Sequence, residues 1–207
     1  MWRIRKTKEP PAYKKYIKTT PGVCFRSMPK RYKDLLKKRL LNDQGGICCY
    51  CGCEINMDTA TIEHFYPINP PKGCIVLQNA GILFSNMLAV CKGGSGNKLH
   101  CDKAKNNKIP PFSILTDACN ENNFSYDKKS GTVTGKTPKD KEFIRLLKLN
   151  DETLKTERRN AIEGLEGLSS LECKKMYLRL LHRNENNCYK KYAFVLRSYI
   201  YENFICL

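Results

Sequence analysis

Hydrophobic positions fall at helical spacing near the start of the chain and again through its last third. Tyr32, Leu35, Leu36 and Leu40 share one face and predict a helix over about 30–43, ended by Gly45-Gly46. From 138 onward the stripe returns with Phe143, Leu146 and Leu147, then Leu154, Arg158, Ala161, Ile162 and Leu165 behind a cap at Asn150 or Asp151. Ser169 with Glu172 forms a capping box ahead of Met176 and Leu180, and Tyr189, Tyr192, Ala193, Leu196, Tyr199 and Ile200 mark a final helix. Phe124-Ser125-Tyr126 and Thr132-Val133-Thr134, parted by Lys128-Lys129-Ser130-Gly131, read as a hairpin. Residues 1–29, with Pro10, Pro11, Pro21 and Pro29, predict an extended, irregular arm; Cys74-Ile75-Val76-Leu77 is too short to type. The expected class is α+β. A basic arm and helix span 1–43, a turn-rich region 44–110, a connecting segment with the hairpin 111–137, and a helical region 138–207 that packs on the core and offers partner contacts.

Charge narrows the partners. The formal net charge is +17 over 207 residues, and residues 1–39 hold fourteen Lys or Arg against Glu9 and Asp34. Such a field favours a polyanion, nucleic acid first. Lys37 and Arg39, on the polar face of the first helix, are candidate phosphate contacts, and Tyr13 and Tyr16 of the arm could stack on bases or pack on the domain. No apolar run approaches the roughly 18 residues of a membrane span. Met1-Trp2-Arg3-Ile4-Arg5-Lys6 is basic with no apolar stretch after it, so no secretory leader is expected. A cytoplasmic protein with mostly reduced thiols follows, and there a Cys-x-x-Cys spacing implies metal or redox chemistry.

Of twelve cysteines, four suggest a structural zinc: Cys48 and Cys51 on one turn, Cys91 and Cys101 on the other. Nine residues part the second pair, where two to four are usual, and Gly93-Gly94-Ser95-Gly96 is flexible enough to loop out between them. Cys49, Cys53 and His100 are rivals for the same ion; Cys24, Cys74, Cys119, Cys173, Cys188 and Cys206 read as unliganded. Glu63 and Asp102 offer oxygen ligands for a catalytic Mg2+ or Mn2+. His64, between Glu63 and Phe65, can take a proton from an attacking water. Because Asp102 directly follows a proposed zinc thiol, the structural ion would fix the site of the catalytic one.

The order Cys-x-x-Cys, Glu-His, Asn, Cys, Cys-Asp-x-x-Lys resembles the HNH (ββα-metal) nuclease superfamily. The strings Gln44-Gly45-Gly46-Ile47-Cys48-Cys49-Tyr50-Cys51, Ile62-Glu63-His64-Phe65 with Pro67, Asn86-Met87-Leu88-Ala89-Val90-Cys91 with Gly93-Gly94, and Cys101-Asp102-Lys103-Ala104-Lys105-Asn106 are similar to the PtuB nucleases of Septu anti-phage defence, also attached to some retrons. The resemblance implies a zinc-stapled ββα-metal core at 44–110. It makes His64 the general base, Asn86 the residue holding the segment that carries it, and Asp102 the last motif position. It makes Lys105 a phosphate contact, with Lys103 beside it. It also implies a PtuA-like ATPase partner, possible association with a retron reverse transcriptase and its nucleic acid, and no membrane.

Two other classes compete. A zinc-stabilised nucleic-acid-binding or scaffold subunit needs the thiols but not the carboxylates at 63 and 102. A thiol-redox protein needs Cys48-x-x-Cys51 at a helix start in a βαβ unit, which this turn-rich stretch does not offer.

Overall fold

A computed structural model describes residues 3–74, 77–115 and 121–206. Prolines open its first two helices. In α1 (Pro11–Thr19), Pro10 caps and Pro11 occupies the first turn; in α2 (Lys30–Gln44), Pro29 caps. The arm expected to be irregular is therefore helical in its middle. A first-turn proline loses no intrahelical hydrogen bond and brings a helical φ already set. Tyr13 of α1 is fully buried, its hydroxyl donating to the Ile82 carbonyl at 2.6 Å, and Tyr16 stacks on Tyr32 of α2 at 4.0 Å. Tyr13 packs the helix on the domain and has no face left for a base.

Two antiparallel strands, β1 (Ala60–His64) and β2 (Met87–Cys91), place Glu63 opposite Leu88 and His64 opposite Met87. All of β2 is buried, so its far edge also needs partners. Gln44 supplies them from the end of α2: its Nε2 donates to the Ala89 carbonyl and its Oε1 accepts from the Ala89 N–H, each at 2.7 Å. The short helix α3 (Cys101–Lys105) follows and packs on β2.

A second ribbon joins β3 (Phe124–Tyr126) to β4 (Val133–Gly135). Among the described residues of the last third run the α-helices α4 (Pro138–Leu146), α5 (Glu152–Glu163), α6 (Ser170–Leu180) and α7 (Ala193–Ile200), the last followed by a π-helical turn at Tyr201–Ile205. Asp151 caps α5 and the Ser169/Glu172 box caps α6. Asn150 instead turns to β4, accepting from the Val133 N–H at 2.8 Å and donating to its carbonyl at 3.0 Å. Core residues run from Ile4 through Leu88 and Phe143 to Ile200 in one apolar cluster. Ile75, Val76 and Cys119 lie outside the described residues. Among the described residues no helix is long and apolar enough to cross a membrane.

Candidate active site and metal centre

Three segments converge beneath β2: the turn after α2, the end of β2, and the start of α3. Their ligand atoms fall into two overlapping quartets, Cys48, Cys51, Cys53, Cys91 and Cys51, Cys91, His100, Cys101, each within 4.8 Å. Cys51 and Cys91 belong to both, with sulfurs 3.8 Å apart. That is about the edge of a tetrahedron whose Zn–S bonds are about 2.3 Å. Cys53 sits closer to Cys51, at 3.3 Å, and His100 Nδ1 lies 3.2 Å from the Cys101 sulfur. Of the four thiols expected from the sequence, Cys51 and Cys91 are shared, while Cys48 falls in the quartet with Cys53 and Cys101 in the quartet with His100. Cys49 belongs to neither quartet. The Cys91 thiol is pulled down to about 3, first by hydrogen bonding from Cys101, so a thiolate sits in the cluster. Soft, buried, partly ionised sulfur is the donor set zinc requires.

The long gap between Cys91 and Cys101 closes through glycine. Gly93 and Gly94 have φ of +68° and +75°, and a Cβ on Gly94 would lie 2.0 Å from the Lys98 carbonyl oxygen. The loop then returns through His100 N–H to Gly93 O at 2.9 Å. Cys101 itself has φ +55°, and its N–H is held by the Leu147 carbonyl at 2.9 Å. The end of α4 thereby fixes both Cys101 and its neighbour Asp102.

Glu63, His64 and Asp102 line one cleft of about 510 Å³, with Lys103 and Lys105. Successive strand residues face opposite ways, but His64 ends its strand and turns into the cleft with Glu63. Glu63 is buried; its Oε1 accepts from the Tyr50 hydroxyl at 3.0 Å and pairs with Lys105 Nζ at 2.9 Å. Burial, then hydrogen bonding with Asp102, pushes its carboxyl up to about 9 despite Lys105. A carboxyl held protonated by burial and a second carboxylate is one a divalent cation would ionise. Among the described residues no third His, Cys, Asp or Glu joins this pair in a ligand group.

His64 Nε2 lies 3.1 Å from the Gly81 carbonyl oxygen. A carbonyl only accepts, so Nε2 carries the proton and Nδ1 is left as the basic nitrogen. Burial lowers the His64 pKa and keeps the ring neutral. Phe25 meets the ring edge-on at 4.7 Å. Asn86 is buried and works as a clamp: Oδ1 accepts from the Tyr66 N–H at 2.8 Å, and Nδ2 donates to the Tyr66 and Ala80 carbonyls, both at 2.9 Å.

The four expected nucleic-acid contacts are differently placed. Lys105 is buried against Glu63 and the His64 carbonyl. Exposed Lys103 donates to the Gly94 carbonyl at 2.9 Å, Lys37 to the Met57 carbonyl at 3.1 Å, and Arg39 to Thr7 Oγ1 at 3.3 Å. Sequence reasoning missed Tyr50 and the Gly81 carbonyl. Nothing local marks Gly81; the only signal for Tyr50 was its place inside the cysteine turn.

No family model matches the chain. It is 29% identical over 140 residues to a Vibrio cholerae (serotype O1 biovar El Tor) protein named "Retron Vc95 putative HNH endonuclease", an alignment covering 64% of this chain and 66% of that protein. The chain thus spans just under two thirds of that relative's length. The likeness supports an HNH endonuclease family for this mixed helix-and-strand protein.

Proposed function

We propose that the protein is a metal-dependent HNH endonuclease that hydrolyses phosphodiester bonds, with DNA as the default substrate and RNA as the alternative. The observation that carries this reading is the meeting of Glu63, His64 and Asp102 in one cleft, backed by the cysteine cluster through Cys101. In this reading β1, β2 and α3 are the ββα-metal core, zinc is held by Cys48, Cys51, Cys91 and Cys101, and Glu63 and Asp102 hold the catalytic ion. A divalent cation held there would supply charge neutralisation for the phosphate and its leaving oxygen. His64 Nδ1 takes the proton of the attacking water, with the ring oriented through Nε2–H to Gly81. Lys105 pairs with Glu63 Oε1 and would hold that carboxyl in place beside a bound cation. Asn86 fixes the backbone two residues after His64.

The named relative is a retron component, which supports a place in anti-phage defence. A PtuA-like ATPase that controls when cutting occurs, and a retron reverse transcriptase with its nucleic acid, are the partners we propose from the resemblance to the PtuB nucleases. Incubating purified protein, alone and with such an ATPase, with plasmid DNA, single-stranded DNA and total RNA tests the reading. Cutting that requires Mg2+ or Mn2+ and is lost in Glu63→Gln supports it. No cutting of any substrate under either condition favours the zinc-stabilised binding subunit.

A further inference from the structure

A larger groove of about 1300 Å³ is lined by the amino-terminal arm and by the segment around Tyr66 and Asn86, and its Tyr66 directly precedes Pro67 of the cleft. Arg3, Arg5, Lys8 and Lys14 line the arm side, and Glu9 is the only acid among the described lining residues. Arg3, Arg5 and Lys8 are exposed, while Ile4 between them is buried and donates its N–H to the Ile114 carbonyl at 2.8 Å. Arg3 and Arg5 thus alternate with buried Ile4 and half-buried Lys6, and exposed Lys8 extends the line of cations past Thr7. The row is fixed in place: Thr7 Oγ1 donates to Asp43 Oδ1 at 2.7 Å, and Lys6 Nζ donates to the Phe84 carbonyl.

Tyr66 connects the groove to the chemistry. It lines the groove, is 38% exposed, packs edge-on against Phe65 at 5.3 Å, and has its backbone clamped by Asn86 two residues after His64. A rigid aromatic beside a fixed row of cations is the pairing that holds single strands, since an unpaired base can offer its face while the backbone tracks the charges. Bases of an intact duplex are stacked on one another and cannot do so.

We propose that this groove guides a single strand of nucleic acid into the His64 cleft, with phosphates against Arg5 and Lys8 and a base stacked on Tyr66. The proposal rests on the nuclease reading above, and its test is chosen to be independent of cutting. Zinc-loaded His64→Ala protein without added magnesium is titrated against labelled single-stranded DNA, single-stranded RNA and duplex DNA over a range of salt, with anisotropy as the readout. Arg5→Ala with Lys8→Ala should weaken single-strand binding and flatten its log–log salt slope by about 1.4, from about 0.7 per lost phosphate contact. Tyr66→Ala should weaken binding about 5- to 150-fold, the range for one stacked base, and Tyr66→Phe should restore it. Preference between the DNA and RNA strands identifies the substrate. Unchanged affinity and slope in the double variant, or tighter binding of duplex than of either strand, overturns the groove. Failure of the wild-type protein to cut refutes the nuclease reading alone and leaves these binding results standing.

Discussion

Replacing Asn86 by Ala removes three hydrogen bonds at once and leaves the Tyr66 N–H, the Tyr66 carbonyl and the Ala80 carbonyl without their partner. Each neutral bond contributes about 0.5–1.5 kcal/mol net, and a buried group left unpaired costs about 1–3 kcal/mol. Tyr66 is exposed, so water can satisfy part of what is lost there, whereas Asn86 itself is 2% exposed and lies against Ala80. A loss of about 2–4 kcal/mol follows, which for a chain of this size is a melting temperature lower by about 5–15 °C. Asn86→Asp keeps the acceptor for Tyr66 N–H but has no amide donor, and should fall between the two. Urea unfolding followed by circular dichroism measures the difference directly. Activity should fall by more than stability explains, because displacing His64 by about 1 Å can cost about a hundredfold in rate. A stability loss under about 1 kcal/mol with normal cutting would show that the clamp does not hold the His64 segment, and would remove Asn86 from the site.

Gly94→Ala forces a Cβ onto the Lys98 carbonyl and an alanine into φ +75°; a loss of about 2 kcal/mol or more and weaker zinc retention in a colorimetric release assay are expected. Stripping zinc with a strong chelator should lower the melting temperature sharply, since metal-binding energy at such a site is folding energy, and added zinc should restore it. Lys105→Met should cost less than about 3 kcal/mol because Glu63 is already held protonated by burial and leaves no unpaired buried charge, and added Mg2+ should raise its melting temperature by more than it raises the parent's. Lys6 is pushed down to about 7 from 10.5, chiefly by burial, with Asp43 and Cys49 acting the other way. A depressed pKa means stability is full above 10.5 and is lost as pH falls through 7, so Lys6→Met should gain on the parent by about 1.4 kcal/mol per pH unit across that window. Parallel pH–stability curves for the two would refute the burial of Lys6 as a neutral amine.

Much of this arrangement was legible because it is carried by local patterns. The stripes at Leu36 and Leu40 and at Phe143 mark real helices, and the Ser169/Glu172 box lies at a real helix start. The hairpin strand expected at 132–134 begins one residue later, at Val133. Two misses have different causes. Prolines at 10 and 11 were read as breakers, although a first-turn proline starts a helix as readily as it ends one. The roles of Gln44, Tyr50 and the Gly81 carbonyl depend on contacts 45, 13 and 17 residues away in sequence, and no short spacing announces those. The cysteines were readable as a metal cluster, but the fold brings six donors together where a tetrahedron needs four. The glycine run and His100 were both visible as a loop and a rival ligand, but residue spacing cannot rank six donors that the turn at Gly93-Gly94 brings within reach of one another.

The most direct test of the central claim compares wild-type and His64→Ala protein, both with zinc content measured, for Mg2+- or Mn2+-dependent cutting of the preferred substrate. Equal zinc in the two proteins with cutting lost in the variant is the result expected. Equal cutting by both would contradict His64 as the base and the cleft as the active site.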